Sequence, residues 1–318
     1  MPGRKPVNVR NGQIVVGHEW FTAETMTPSV EKAPSAVSKV RRPKLGQNFL
    51  ADSAVAARIV DALGDISHTT VLEIGPGKGV LTDGLAERAG RLIAIELDRV
   101  LAAQLRMKYS RRSNVEVIEG DILKTDLSTI VARQPGPLSS MAPKNHDPAK
   151  VVGNIPYYIT SDILLHLFHY HPYVNEIVMM LQREVAERVT AKPGGSEYGL
   201  LSATSQLYGK VEKLFVVPPG AFEPPPKVQS AVIRLRVAPQ FQALQVSERE
   251  FIEFLKLSFG QKRKTLLNNL KVRYSDQEIR SALAGAGVRS DVRAEALTLP
   301  KAASVFRKLA PASPPSGK

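Results

Sequence analysis

At 318 residues and 43% hydrophobic content, the chain can form one large domain and a smaller one, each with a buried core. The absence of cysteine excludes a disulfide framework, a cysteine-ligated zinc site and a thiol nucleophile, and no apolar run approaches the roughly 20 residues that span a bilayer. The net charge of +13 lies at the two ends: eight Lys/Arg against three Glu in residues 1–44, thirteen against five acids in residues 251–318, and 22 of each sign between. Segregated basic charge attracts polyanions and releases counterions on contact, so nucleic acid is the expected partner, with plain solubility as the alternative. A cytoplasmic monomer with no membrane association and no metal is expected.

Residues 1–43 mix Pro, Ser, Thr, Val and charge without a period and read as a disordered basic extension. Glu19, Glu24 and Glu31 argue against a transit peptide, which avoids acids. A strand–helix alternation then begins. Helices are predicted over Val55–Leu63, Gly79–Ala89, Asp98–Tyr109, Ser161–Tyr170, Arg183–Thr190 and Leu200–Tyr208. Strands are predicted over Val71–Ile74, Arg91–Ile95, Val115–Glu119, Val151–Val152, Ile177–Leu181, Val211–Val217 and Val228–Val237, while Gln134–Pro148 reads as an exposed loop insertion. The pattern implies an α/β fold: a mostly parallel sheet with helices on both faces, closing on an antiparallel pair at one edge. From about residue 246 only helical spacing remains, in Glu248–Ser258, Lys264–Leu270, Gln277–Ala284 and Leu299–Leu309. The expected division is a 44–245 domain, a small helical domain over 246–311 and a flexible tail over 312–318.

Chemistry gathers at the predicted strand ends. Glu73-Ile74-Gly75-Pro76-Gly77-Lys78-Gly79 lies between a strand and a helix, where glycines permit a tight turn and close approach to a ligand. Val80 stands where a dinucleotide-binding loop has its third glycine. The tighter Gly-x-Gly-x-Gly spacing is that of methyltransferases holding a methionine-linked nucleoside, a structural glycine turn being the alternative. Glu96, at the end of the second strand, can accept both ribose hydroxyls, and Asp121, after the third, an adenine amine. Singly, each is as well read as a helix N-cap or solvated turn residue.

At the fourth strand end stands Asn154-Ile155-Pro156-Tyr157. An adenine amine is a poor nucleophile because its lone pair is delocalised into the ring. The Asn154 amide oxygen and the Ile155 or a nearby carbonyl can hold both N–H groups and aim the nitrogen at a sulfonium methyl. Pro156 stiffens the turn, and Tyr157 offers a face for an extruded base. The alternative is an Asn-x-Pro turn that closes a strand. Phe222, in Phe222-Glu223-Pro224-Pro225-Pro226-Lys227-Val228, is a candidate for the opposite wall of a base sandwich, or an aromatic plugging the core.

Together these residues resemble the ribosomal RNA adenine dimethyltransferase family of the KsgA (RsmA) type, over roughly residues 44–310. The resemblance rests on Gln47-Asn48-Phe49-Leu50, Glu73–Gly77, Ile95-Glu96-Leu97-Asp98, Gly120-Asp121, Gly153–Tyr157, Gln182-Arg183-Glu184-Val185-Ala186, Phe222–Val228 and Phe259–Leu266. It implies a Rossmann-like class I methyltransferase sheet with a C-terminal helical domain. It also implies an S-adenosylmethionine site lined by Asn48, Leu50, Gly75, Glu96, Asp121 and Asn154. The activity implied is N6,N6-dimethylation of two adjacent adenosines near the 3′ end of small-subunit (16S) rRNA, in a pre-ribosomal particle late in assembly. Lys262, Arg263 and Lys264 would lie in the domain that docks on RNA, a solvated helix face being the alternative. The departures are the extension over 1–43, the Gln134–Pro148 insertion and Tyr158, where the family often has Asn. A DNA adenine methyltransferase and a non-catalytic ribosome or transcription factor of the same fold are the competing readings.

Overall fold

The computed structural model describes residues 48–132, 148–156 and 159–309. Among them a seven-stranded sheet runs in the order β4-β3-β2-β5-β6-β9-β7. Its strands are β2 (Thr70–Ile74), β3 (Arg91–Glu96), β4 (Val115–Glu119), β5 (Ala149–Asn154), β6 (Val174–Gln182), β7 (Gly209–Val217) and β9 (Ser230–Val237). The first five are parallel, whereas β9 enters between β6 and β7 and pairs antiparallel with both. The predicted antiparallel closing pair is therefore present, with β9, the last strand among the described residues, inside the sheet rather than at its rim.

The sheet carries helices on both faces, and the strand residues alternate between two apolar cores. Val71, Leu92, Val152, Val178 and Val232 point to the side packed by α1 (Ser53–Asp61), α2 (Val80–Arg88) and α3 (Arg99–Lys108). Leu72, Ile93, Val151, Ile177 and Ile233 point to the side packed by α4 (Leu127–Ala132), α5 (Thr160–His169), α6 (Arg183–Thr190) and α7 (Leu200–Tyr208). Burial on both faces explains why β3 is buried at all six positions and reads in sequence as a continuous run. Full burial of side chains such as Ile59 and Leu85 contributes roughly 1.5–3 kcal/mol each. Helix starts are set locally: Asp52 accepts from the Ala54 and Val55 N–H groups to begin α1, and Asp98 from Val100 and Leu101 to begin α3.

Beyond β9 the chain is helical: α8 (Phe241–Leu244), α9 (Glu248–Ser258), α10 (Leu266–Leu270), α11 (Asp276–Gly285) and α12 (Leu299–Leu309). These helices enclose a third core in which the rings of Phe251, Phe254 and Phe306 lie within 5.9 Å of one another, joined by Tyr198, Ala203 and Leu207 from the preceding segment. The predicted helix over Lys264–Leu270 starts at Leu266 instead, because the Thr265 hydroxyl caps it by accepting from the Asn268 N–H. Among the described residues no helix is long and apolar enough to cross a membrane.

Candidate active site

Chain direction turns the parallel strands into a site. From β2 the sheet grows through β3 to β4, then returns to β5 on the other flank of β2. The helices leave in opposite directions at that switch point, opening a crevice beyond the strand C-termini. Register places the ends level: Ile74 pairs with Ile95 and Gly153, Glu96 with Glu119, and Asn154 with Met180. The residues predicted from the glycine loop, Glu96, Asp121 and Asn154 thus converge on one edge.

The glycine loop is built as its residues suggested. Gly75, Gly77 and Gly79 all have positive φ, and the turn is held by the Gly75 N–H donating to the Ile95 carbonyl and Gly79 to Pro76, each at 2.9 Å. Gly77 is doubly constrained: its φ is +59°, and a Cβ there would stand 3.0 Å from the Phe49 ring. Glu96, only 3% exposed, ties the loop down, accepting from Gly77 N–H through Oε2 and from Asp98 N–H through Oε1, both at 2.9 Å. Those two bonds leave about half of the carboxylate lone pairs for a ligand. Asp121 satisfies its alternative reading as well: it caps a 3-10 turn by accepting from Leu123 N–H at 3.0 Å through Oδ1, while Oδ2 has no such bond among the described residues.

Asn154 ends β5, half-buried. Its Nδ2 donates to the Asn48 carbonyl at 3.3 Å, which turns its Oδ1 acceptor away from that contact. Ile155 is buried, and the Pro156 carbonyl accepts from the Ile159 N–H at 3.3 Å. Tyr157, the predicted stacking face, and Tyr158 lie outside the described residues, as do 134–147 of the insertion.

Asn48 and Leu50 reach this edge through a connection that sequence reading missed. Phe49–Leu50 (β1) pairs antiparallel with Phe222–Glu223 (β8), matching Phe49 with Glu223 and Leu50 with Phe222. The Ala51 and Asp52 N–H groups add bonds to the Ala221 carbonyl at 2.8 and 3.1 Å. Lys78 of the glycine loop meets both strands, its Nζ 5.1 Å from the Phe49 ring centre and 3.6 Å from Glu223. The ribbon joins the segment over the glycine loop to the loop that carries Phe222. Phe222 itself is 4% exposed and packs in the core with Leu50, so the structure places it in the apolar interior beside the site.

Two further residues were missed. Leu97, 53% exposed beside Glu96, offers an apolar face at the β3 end. Glu73 is 1% exposed on the α1–α3 face of β2, and neither of its oxygens nor the Thr82 hydroxyl makes a well-formed hydrogen bond among the described residues. Burial pushes its carboxyl up to about 8, with Thr82 opposing and the charges of Glu96 and Asp83 reinforcing the rise. The motif spelling Glu-x-Gly was visible in sequence; the missing partners were not. Lys262, Arg263 and Lys264 are exposed in the turn before α10 rather than on a helix face. Lys262 Nζ donates to the Ser196 carbonyl at 2.6 Å, and buried Asn269 braces the turn by donating to the Ser258 and Gln261 carbonyls.

The chain is similar to several known proteins. A model of the family described as "Ribosomal RNA adenine dimethylase" matches residues 38–310. The chain is 56% identical to ribosomal RNA small subunit methyltransferase A of Koribacter versatilis over 85% of this chain and 94% of that protein. It is 48% identical to the protein of the same name from Acidobacterium capsulatum, over 89% and 96%. Among solved structures it is similar to the 23S rRNA methyltransferase ErmE (TM-score 0.61, 30% identity, 82% of this chain and 99% of that one). A dimethyladenosine transferase from Plasmodium falciparum is also similar (TM-score 0.65, 27% identity, 82% and 95%). The sheet order, the converging strand ends and these matches lead to one statement: the chain belongs to the ribosomal RNA adenine dimethylase family.

Proposed function

We propose that this protein transfers methyl groups from S-adenosylmethionine to the N6 amines of two adjacent adenosines near the 3′ end of small-subunit rRNA, twice on each, late in subunit assembly. The observation that carries this reading is Asn154: with Nδ2 committed to Asn48, its Oδ1 is left as an acceptor at the strand edge beside the glycine loop. Residues 44–245 are the methyltransferase domain in this reading, and 246–311 the helical domain that docks on RNA. The protein works in the cytoplasm as a monomer and without a metal.

The residues present fit the methyl donor. Glu96 has spare lone pairs for ribose hydroxyls, Asp121 keeps Oδ2 for an adenine amine, and exposed Leu97 suits the face of a purine. Gly77 lets the loop pass under the Phe49 ring, where a Cβ would stand 3.0 Å from it. When bound, the donor supplies a methyl group on a positively charged sulfur. The chain contributes position and charge. Asn154 Oδ1 accepts one amine hydrogen, and the Ile155 carbonyl, next along the chain, accepts the second. Holding both hydrogens in the first transfer, and the one that remains in the second, directs the amine lone pair out of conjugation and toward the methyl group. Each transfer releases one amine proton to solvent, and rate comes from orientation and preorganised dipoles. Tyr157 is assigned to the wall on which the base stacks, with Phe222 packed in the core beside it, and Lys262, Arg263 and Lys264 are assigned to RNA phosphates.

The test is transfer of labelled methyl groups from the full chain to small-subunit particles lacking the modification, with duplex DNA alongside. Labelling confined to rRNA is expected; equal labelling of the duplex would overturn the substrate.

A further inference from the structure

One motif in the sequence has no role in the chemistry so far: Gln182-Arg183-Glu184, at the end of β6 and the start of α6. It opens a cleft of about 280 Å³ lined by Gln182, Arg183, Glu184, Glu187, Val228 and Gln229. This is smaller than the pockets that take drug-sized ligands, on the order of 300–1,000 Å³, and suits a single base. Its place is set by register. Asn154 pairs with Met180, two residues before Gln182 on the neighbouring parallel strand. At ~3.3 Å per residue and ~4.8 Å between strands, the cleft begins roughly 8 Å from Asn154. Its other wall, Val228 and Gln229, continues the loop that carries Phe222.

The lining has the chemistry of a base reader. The Gln182 side-chain amide is half-buried and makes no hydrogen bond among the described residues. Glutamine offers an adjacent donor and acceptor, the pair that matches the amine and ring nitrogen of adenine. Arg183 organises the rim: its Nε donates to Glu187 at 2.8 Å, its Nη1 donates to the Gln229 Oε1 at 2.8 Å, and its backbone N–H donates to the Gln229 carbonyl at 2.9 Å. The guanidinium, about half exposed, is thereby fixed as a flat surface on which an unstacked base can lie. The same pairing keeps Glu187 ionised, holding its carboxyl below the usual range. An ionised carboxylate accepts from an exocyclic amine and repels the carbonyl oxygen that guanine carries in its place. Val228, 45% exposed, adds an apolar patch.

We propose that this cleft seats the adenosine adjoining the one held at Asn154, so that the protein reads a pair of adenosines rather than a single base. The proposal rests on the rRNA-methylating reading above and names its second recognition element. Two adjacent targets give such a cleft a purpose, because each methylation event leaves the neighbouring adenosine to be placed.

The experiment uses the full chain and small-subunit particles whose rRNA carries adenosine–adenosine or adenosine–guanosine at the target pair, with methylation of the remaining adenosine quantified by mass spectrometry. For the wild type, replacing the neighbour by guanosine is expected to slow transfer by about tenfold or more, the scale of one good base contact. In Gln182→Ala, and separately in Glu187→Gln, the ratio between the two particles should fall toward one while affinity for S-adenosylhomocysteine stays at the wild-type value. A role in folding alone would lower both rates together and leave the ratio intact. An unchanged ratio in both variants, or no penalty for guanosine in the wild type, overturns the cleft assignment. No transfer by the wild type to the adenosine–adenosine particle overturns the rRNA reading itself, which separates the two failures.

Discussion

Gly77→Ala perturbs the glycine loop at one atom, and the structure sets the size of the effect. The residue has φ +59°, and the added Cβ would meet two Phe49 ring atoms at 3.0 and 3.1 Å. The first consequence is backbone strain, about 1–2 kcal/mol for a left-handed non-glycine residue. The second is displacement of Phe49, and with it β1, which holds Asn48 against Asn154 and Leu50 against Phe222. Gly64→Ala separates the two, since Gly64 has φ +69° and nothing within 4 Å of its added Cβ. Both variants should lose about 1–2 kcal/mol of stability, a Tm drop of roughly 2–4 °C per kcal/mol. Only Gly77→Ala should also weaken binding of S-adenosylhomocysteine, by about tenfold or more (~1.4 kcal/mol) in isothermal titration calorimetry. Unaltered affinity in Gly77→Ala, or equal weakening in both variants, would refute the claim that β1 packs over the cofactor loop as part of the site.

Two other predictions follow from charges. Glu73 is protonated in the fold up to about pH 8 but ionises near its ordinary value of 4.5 in the unfolded chain, so the folded state holds the extra proton between those values. Stability should fall as pH rises across that window, by up to about 1.4 kcal/mol per pH unit from this group, and urea titrations of Glu73→Gln should lose that slope. A variant with the wild-type slope would contradict the burial argument. Replacing Lys262, Arg263 and Lys264 by Gln should weaken RNA binding and reduce the steepness of its salt dependence, by roughly one unit of slope per lost phosphate contact, with cofactor affinity unchanged. Identical salt slopes would remove that turn from the RNA surface.

The sheet was readable because its central strands are buried on both faces. Val71–Ile74 and Arg91–Ile95 are apolar runs stopped by glycine or acid, and the same boundaries place Glu96, Asp121 and Asn154 at one edge. Strand order was less readable: β9 enters the sheet through pairing with both β6 and β7, and no local pattern encodes a partner. The β1–β8 ribbon has two residues per strand, too few for any period to register, yet it connects the segment over the glycine loop to Phe222. Phe222 shows how far local evidence reaches. The Pro-stiffened loop left an aromatic wall and a core plug both open, and the pairing of Phe222 with Leu50 sets the ring in the core. Glu73 was legible as a motif letter and illegible as a buried acid, since burial depends on α2 and α3 folding over it.

The central claim is that Asn154 holds the target amine, and the most direct test is to digest small-subunit rRNA after reaction and quantify dimethyladenosine by mass spectrometry. Wild-type protein should convert both adenosines of the target pair. At saturating S-adenosylmethionine, Asn154→Ala should yield about a hundredfold less product or none, the loss typical of one oriented hydrogen-bonding group at a reacting centre. Full conversion by Asn154→Ala would contradict the account.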